Sequence, residues 1–252
     1  MQTFLALFLL GLVQGLTEFL PVSSSGHLVL FSKILGFEES LFLSILLHVA
    51  TLLSIFAVFY KDIFYMLRHP FSKETMRLVL ATIPTCIIVL ILMPIIKQSF
   101  AGFFLPVCFL ISAVLLFVTG FVSKKTNGNE LDFKTAFVMG IAQGFAVFPG
   151  ISRSGSTICA GLLCKSDKSE VAKFSFLMSI PIILLSLVME IYEVCTGAIV
   201  INLDIFSTIF AFITAFLVGI FAIKFMIKLT VKANLKWFSI YLFAVSILSF
   251  FI

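Results

Sequence analysis

Glu18, Ser24, His27 and Arg153 are the residues of this chain whose types and settings point to chemistry. Arg153 sits in an apolar chain, within Pro149-Gly150-Ile151-Ser152-Arg153-Ser154-Gly155-Ser156-Thr157. A guanidinium binds phosphate oxygens as a planar fork. A helix restarting near Gly155 would add free backbone N–H groups, and Ser152, Ser154, Ser156 and Thr157 would add hydroxyls. That combination is a phosphate cradle. A second polar stretch runs from Gln14 to His27. Gln14 and Glu18 are one helical turn apart and share a face. Ser24 and His27, three residues apart, form a nucleophile–base spacing, with Ser23 and Ser25 as neighbouring donors to a bound substrate. Each hydroxyl serves equally well as a helix cap, and Glu18 with Arg153 could be no more than a structural ion pair. His48, inside an apolar run, is a further candidate for the same cavity; His69 lies in a basic segment and reads as solvated.

The elements that position these residues follow from composition. Of 252 residues, 61% are hydrophobic and 12% charged, against about 25% charged in a soluble domain. With a mean hydropathy of +1.22, the chain lacks the polar surface a soluble globule needs and reads as an all-α polytopic membrane protein forming a single membrane domain. The apolar run at the start has no preceding basic region, Lys33 being the first basic residue, so it reads as mature protein rather than a signal peptide. Five cysteines without a CxxC read as apolar packing residues, and no HxxxH pair marks a zinc site.

Runs at about 41–60, 78–97, 103–122, 172–190, 205–223 and 235–252 approach the roughly 20 residues that cross a bilayer, with flanking lysines snorkelling at their ends. Two other runs, 2–17 and 135–152, lead into breaks at 21–26 and 149–155. Broken backbone at membrane depth persists only where protein or a cavity surrounds it, so both read as re-entrant helix hairpins. Six spans plus two re-entrants place 61–77, 123–134, 161–173 and 224–236 on one side. These segments hold every Lys and Arg except Lys33, Lys97 and Arg153. The positive-inside rule makes that side cytoplasmic, with both termini outside.

Residues 11–29 align with 140–158 without a gap, matching Gly11/Gly140, Gln14/Gln143, Gly15/Gly144, Phe19/Phe148, Ser23/Ser152, Ser25/Ser154 and Gly26/Gly155. The spans repeat at about the same offset, giving halves of roughly 1–123 and 133–252. An odd number of spans per half makes this an inverted-topology repeat. Interrupted segments at matching places in two such halves mark the binding site.

The two polar stretches resemble the signatures of the undecaprenyl-pyrophosphate phosphatase family, the bacterial bacitracin-resistance membrane phosphatases. One signature is the (Glu/Gln)-xxx-Glu run with its serine loop, here Gln14 to His27; the other is PGxSRSxxT, here Pro149 to Thr157. The resemblance spans essentially the whole chain. It implies removal of the terminal phosphate from a long-chain lipid pyrophosphate at the outer face of the cytoplasmic membrane, recycling the cell-wall lipid carrier. It implies a divalent cation, Mg2+ or Ca2+, with Glu18 as metal ligand. Gln14 stands where other members carry a second acid, so water and phosphate oxygens would complete the coordination. Glu18 belongs to the carboxylate motif, Ser24 and His27 to the serine loop, and Arg153, Ser152 and Thr157 to the phosphate-binding motif. The implied partners are the lipid substrate and the bilayer, without nucleic acid; a homodimer stays open.

On this reading Arg153 and the hydroxyls of the second break hold the phosphates, Ser24 attacks the terminal phosphorus, and His27 takes its proton. Two rivals make His27 the nucleophile or let Glu18 activate water. Outside phosphatase chemistry, an anion-coupled transporter shares the inverted-repeat architecture, and a structural, lipid-scaffolding protein is the blandest alternative.

Overall fold

The structure is a computed structural model that describes residues 2–35, 41–99, 104–122, 128–196, 204–232 and 235–251. Among these the chain is helical, with one isolated bridge between Asn129 and Ser166 and no strand. The helices are α1 (Gln2–Thr17), α2 (Ser24–Leu35), α3 (Leu41–Arg68), α4 (Lys73–Ser99), α5 (Leu105–Val122), α6 (Phe133–Phe145), α7 (Arg153–Leu163), α8 (Lys168–Leu177), α9 (Ser179–Thr196), α10 (Ile205–Lys232) and α11 (Lys236–Leu248).

Five stretches are long and apolar enough to cross a membrane: Leu43–Arg68, Lys73–Ile96, Leu105–Val122, Lys168–Met189 and Ile205–Lys232. The chain is therefore a polytopic membrane protein. The run expected at 235–252 is shorter than anticipated, a helix of 13 residues. At 1.5 Å per residue it covers about 20 Å, less than the roughly 30 Å hydrocarbon core. The expected span at 172–190 starts earlier, at Lys168, and is interrupted at Met178. Pro181 follows that break and lacks the N–H that would continue the α8 ladder. Segments expected as loops at 61–77 and 224–236 are mostly helix, because α3 and α10 run on to Arg68 and Lys232. Lys124 and Lys125, in the basic segment 123–134, lie outside the described residues.

Both anticipated interruptions are present, displaced by a few residues. The first lies at 18–23 between α1 and α2, the second at 146–152 between α6 and α7. Helix resumes at Ser24 and at Arg153, which are aligned positions of the two halves. In each pair the helices fold back on one another.

The first helix of each broken pair packs against a long helix. Helix α1 lies against α10, and α6 against α4. The small residues of the repeat make this approach close: a Cβ on Gly11 would collide with the backbone of Ala211, and one on Gly140 with the backbone of Ala81. Gly11→Val and Gly140→Val should each destabilise the bundle by about 1–3 kcal/mol or more through overpacking, read as a lower thermal midpoint in detergent. Unchanged midpoints would contradict the packing described.

Three of the basic segments meet at one end. Lys173 pairs with Asp62 at 2.6 Å, the buried Arg77 donates to the carbonyl of Leu131, and Glu170 accepts from the Leu131 N–H at 2.8 Å. At the end of α5, Lys236 lies over the rings of Phe117 and Phe121.

Candidate active site

The two interruptions touch. Gly26 and Gly150 pass so closely that a Cβ on Gly26 would stand 2.9 Å from Gly150 Cα and 2.6 Å from Phe109 Cζ. Gly150 itself has φ +93°, a region L side chains avoid. Hydroxyls stitch the two breaks together. Ser23 Oγ accepts from Gly150 N–H at 3.1 Å, and Ser154 Oγ donates to the carbonyl of Leu20 at 2.8 Å. Ser112 Oγ donates to Gly150 O at 3.1 Å and accepts from Ser152 N–H at 3.0 Å. Gly26→Ala should therefore separate the breaks and depress turnover more than it lowers the thermal midpoint; the two measurements on one purified sample check this.

Around this seam lies a cavity of about 170 Å³. Its polar lining includes Thr17, Glu18, Ser23, Ser24, Ser25, Ser44, His48, Ser152, Arg153 and Ser154, and its apolar lining includes Leu28, Val29, Ile182 and Ile183. Glu18 is buried and fully engaged. One oxygen pairs with Arg153 Nη2; the other accepts from Ser24 Oγ at 2.5 Å and from Gln14 Nε2 at 3.1 Å. Two polar atoms beside this network are buried without a partner, Arg153 Nη1 and Gln14 Oε1. A buried guanidinium N–H left unpaired costs of order 1–3 kcal/mol, more for a charged group. It marks a place where an anion belongs. Helix α7 opens at Arg153, so its free N–H groups and positive dipole end act in the same place.

The sequence-predicted residues divide into two groups. Glu18, Ser24, Ser25 and Arg153 line the cavity, and Gln14 buttresses Glu18. Ser23, Ser152 and Ser154 also reach its wall, but their hydroxyls are committed to the fold. Ser152 caps α7 by accepting from Gly155 N–H at 3.0 Å. Thr157 is buried away from the lining, donating to Arg153 O at 2.9 Å and bonded to Ser175 Oγ at 2.6 Å.

The Ser24–His27 pair anticipated from their spacing does not form. Ser23 holds φ 70°, a left-handed conformation costing about 1–2 kcal/mol for a residue with a Cβ. His27 secures it: Nδ1–H donates to Ser23 O at 2.8 Å, so Nε2 is the acceptor, bonded to Tyr241 O–H at 2.7 Å. The ring also stacks on Tyr241. His27 thus props the residue before Ser24, and neither ring nitrogen is bonded to Ser24 Oγ. His27→Gln should lose rate that raising the pH does not restore; recovery at high pH would return His27 to the role of base.

Sequence reasoning missed Ser44 and Ser186 and gave His48 only as a candidate. The signal was Ser44-xxx-His48, one helical turn on one face of an apolar helix. For the implied cation, the described residues contain no cluster of three or more His, Cys, Asp or Glu. The donors present are oxygens, the Glu18 carboxylate and the orphaned Gln14 carbonyl, which suit a hard cation that keeps several waters.

An all-helical bundle with two broken hairpins meeting at an internal arginine, carboxylate and serine defines a polytopic membrane protein with a buried polar site. The family model described as bacitracin resistance protein BacA matches residues 7–248, and the chain belongs to that family. It is 39% identical over 202 residues to undecaprenyl-diphosphatase 4 of Bacillus thuringiensis subsp. konkukian, covering 78% of this chain and 77% of that one. It is 42% identical over 187 residues to the undecaprenyl-diphosphatase of Christiangramia forsetii, covering 69% and 70%. To that of Methanosphaera stadtmanae it is 37% identical over 220 residues, covering 78% and 80%.

Proposed function

We infer that this protein is an undecaprenyl-diphosphate phosphatase, releasing inorganic phosphate and returning undecaprenyl phosphate to the cell-wall lipid cycle. This is the activity behind the bacitracin resistance for which the family is named. The observation that carries the reading is the unpaired Arg153 Nη1, buried beside a serine already hydrogen-bonded to a carboxylate. A transporter binding site would need the arginine but not that serine–carboxylate contact.

In the proposed mechanism Arg153 and the α7 N-terminus clamp the diphosphate and stabilise the charge spread over the equatorial oxygens. Ser24 Oγ attacks the terminal phosphorus as its proton passes to Glu18, and the bond to the bridging oxygen breaks, releasing undecaprenyl phosphate. Water then cleaves the phosphoserine. A divalent cation would be held by Glu18 and the Gln14 carbonyl together with substrate oxygens, and would neutralise diphosphate charge. Removing divalent ions with chelator should abolish phosphate release from detergent-solubilised protein, and Mg2+ or Ca2+ should restore it; undiminished release in chelator would remove the cation from the account. Because micelles hold no gradient, release there also separates hydrolysis from coupled transport.

For topology, the proposal keeps an inverted repeat of about 1–123 and 133–252, with α1–α2 and α6–α7 as re-entrant hairpins and α11 completing six spans. The reciprocal α1–α10 and α6–α4 packing supports it, as does the gathering of basic helix ends. The site then opens to the outer face of the bacterial inner membrane, with both termini outside. The lipid tail stays among the spans.

A further inference from the structure

We propose that His48 is a catalytic residue, the general base that activates the water which cleaves the phosphorylated Ser24. The inference rests on the Ser24 mechanism above and deepens it.

All three histidines sit one helical turn after a backbone carbonyl that their Nδ1 approaches: His27 on Ser23 O, His48 on Ser44 O at 2.9 Å, and His69 on Tyr65 O at 3.1 Å. A carbonyl can only accept, so Nδ1 carries the proton and Nε2 the lone pair. The three then differ in what meets Nε2. That of His27 is bonded to Tyr241. His69 lies at the exposed end of α3. His48 lines the cavity with Ser24, Glu18 and Arg153. Among the described residues its Nε2 has no hydrogen-bond partner.

The chemistry needs such a group. Both Glu18 oxygens are occupied, one by Arg153 and the other by Ser24 and Gln14. After the first step Glu18 also holds the serine proton, so it cannot take one from water. In the second step the water oxygen bonds to phosphorus, the bond from phosphorus to Ser24 Oγ breaks, and the water proton moves to His48 Nε2. Glu18 returns its proton to Ser24, His48 gives its own to the departing phosphate, and both residues regain their starting states.

The test is a rapid quench with undecaprenyl diphosphate labelled in its terminal phosphate, using wild type, His48→Ala and His48→Asn. The proposal expects both variants to release about one equivalent of undecaprenyl phosphate per site and then stall, with label retained on Ser24. Steady turnover falls ~100-fold or more, the range for loss of a general base, and added imidazole shortens the life of the label in His48→Ala. Turnover near wild type would overturn the assignment, and so would a slowed first equivalent with no labelled Ser24 in a variant that stays folded. If His48→Ala fails to fold, His48→Asn, which keeps an amide N–H for Ser44 O, carries the test. A wild-type protein that releases no phosphate at all would instead overturn the phosphatase reading itself.

Discussion

Ser24→Ala will lose turnover by ~10⁴-fold or more while the protein still binds undecaprenyl diphosphate. Removing a nucleophile leaves only the residual acceleration supplied by charge stabilisation and binding. The substitution deletes one hydroxyl at the first position of α2 and so removes the 2.5 Å contact to Glu18. It leaves the Arg153–Glu18 pair and the hydroxyls joining the two breaks in place. Substrate affinity, read by equilibrium binding in detergent, should therefore stay within a few-fold of wild type. Glu18→Gln should be equally inactive, and high Mg2+ should not restore it, because an amide oxygen can still meet a cation but cannot take the serine proton. No metal concentration should rescue Ser24→Ala. Measurable steady turnover in Ser24→Ala would transfer the attack to water or to a histidine.

Arg153→Lys is the second large effect, a fall of ~10²–10³-fold in turnover, the range for losing one preorganised donor to a developing charge. Lysine keeps the positive charge and can still pair with Glu18. It loses the second nitrogen, the atom buried here without a partner, and with it the fork that grips two phosphate oxygens. The fold should persist, because the helix start at this position is capped by Ser152 rather than by Arg153. Near-normal activity in folded Arg153→Lys would reduce the residue to an ion-pair partner for Glu18.

Much of this site was legible because polar residues in an apolar chain are expensive and therefore informative. Glu18 and Arg153 stood out for that reason, and the repeat placed them in facing breaks. The aligned positions 24 and 153 begin the two short helices, and they carry the serine of one half and the arginine of the other. The division of the hydroxyls was not legible. A break exposes backbone N–H and C=O groups that short side chains satisfy: Ser152 and Thr157 do so within their own helix, Ser23 and Ser154 across to the other break. Spacing alone also did not show where the His27 nitrogens are bonded. The three-residue interval to Ser24 holds, but the left-handed Ser23 turns its carbonyl toward the ring, and Tyr241, more than 200 residues away along the chain, takes the other nitrogen. Nothing local encodes that contact. The helix ends were read least well: α3 and α10 run past the charged residues that seemed to close them, because snorkelling lysines and arginines prolong a helix into the interface.

The most direct test of the account follows both products from undecaprenyl diphosphate with the purified protein in detergent, alongside Ser24→Ala and Arg153→Lys of matched thermal midpoint. The wild type should yield equal amounts of inorganic phosphate and undecaprenyl phosphate, with both products lost together in the two variants. Release that survives both substitutions, or folded wild-type protein that forms neither product in the presence of Mg2+ or Ca2+, would contradict it.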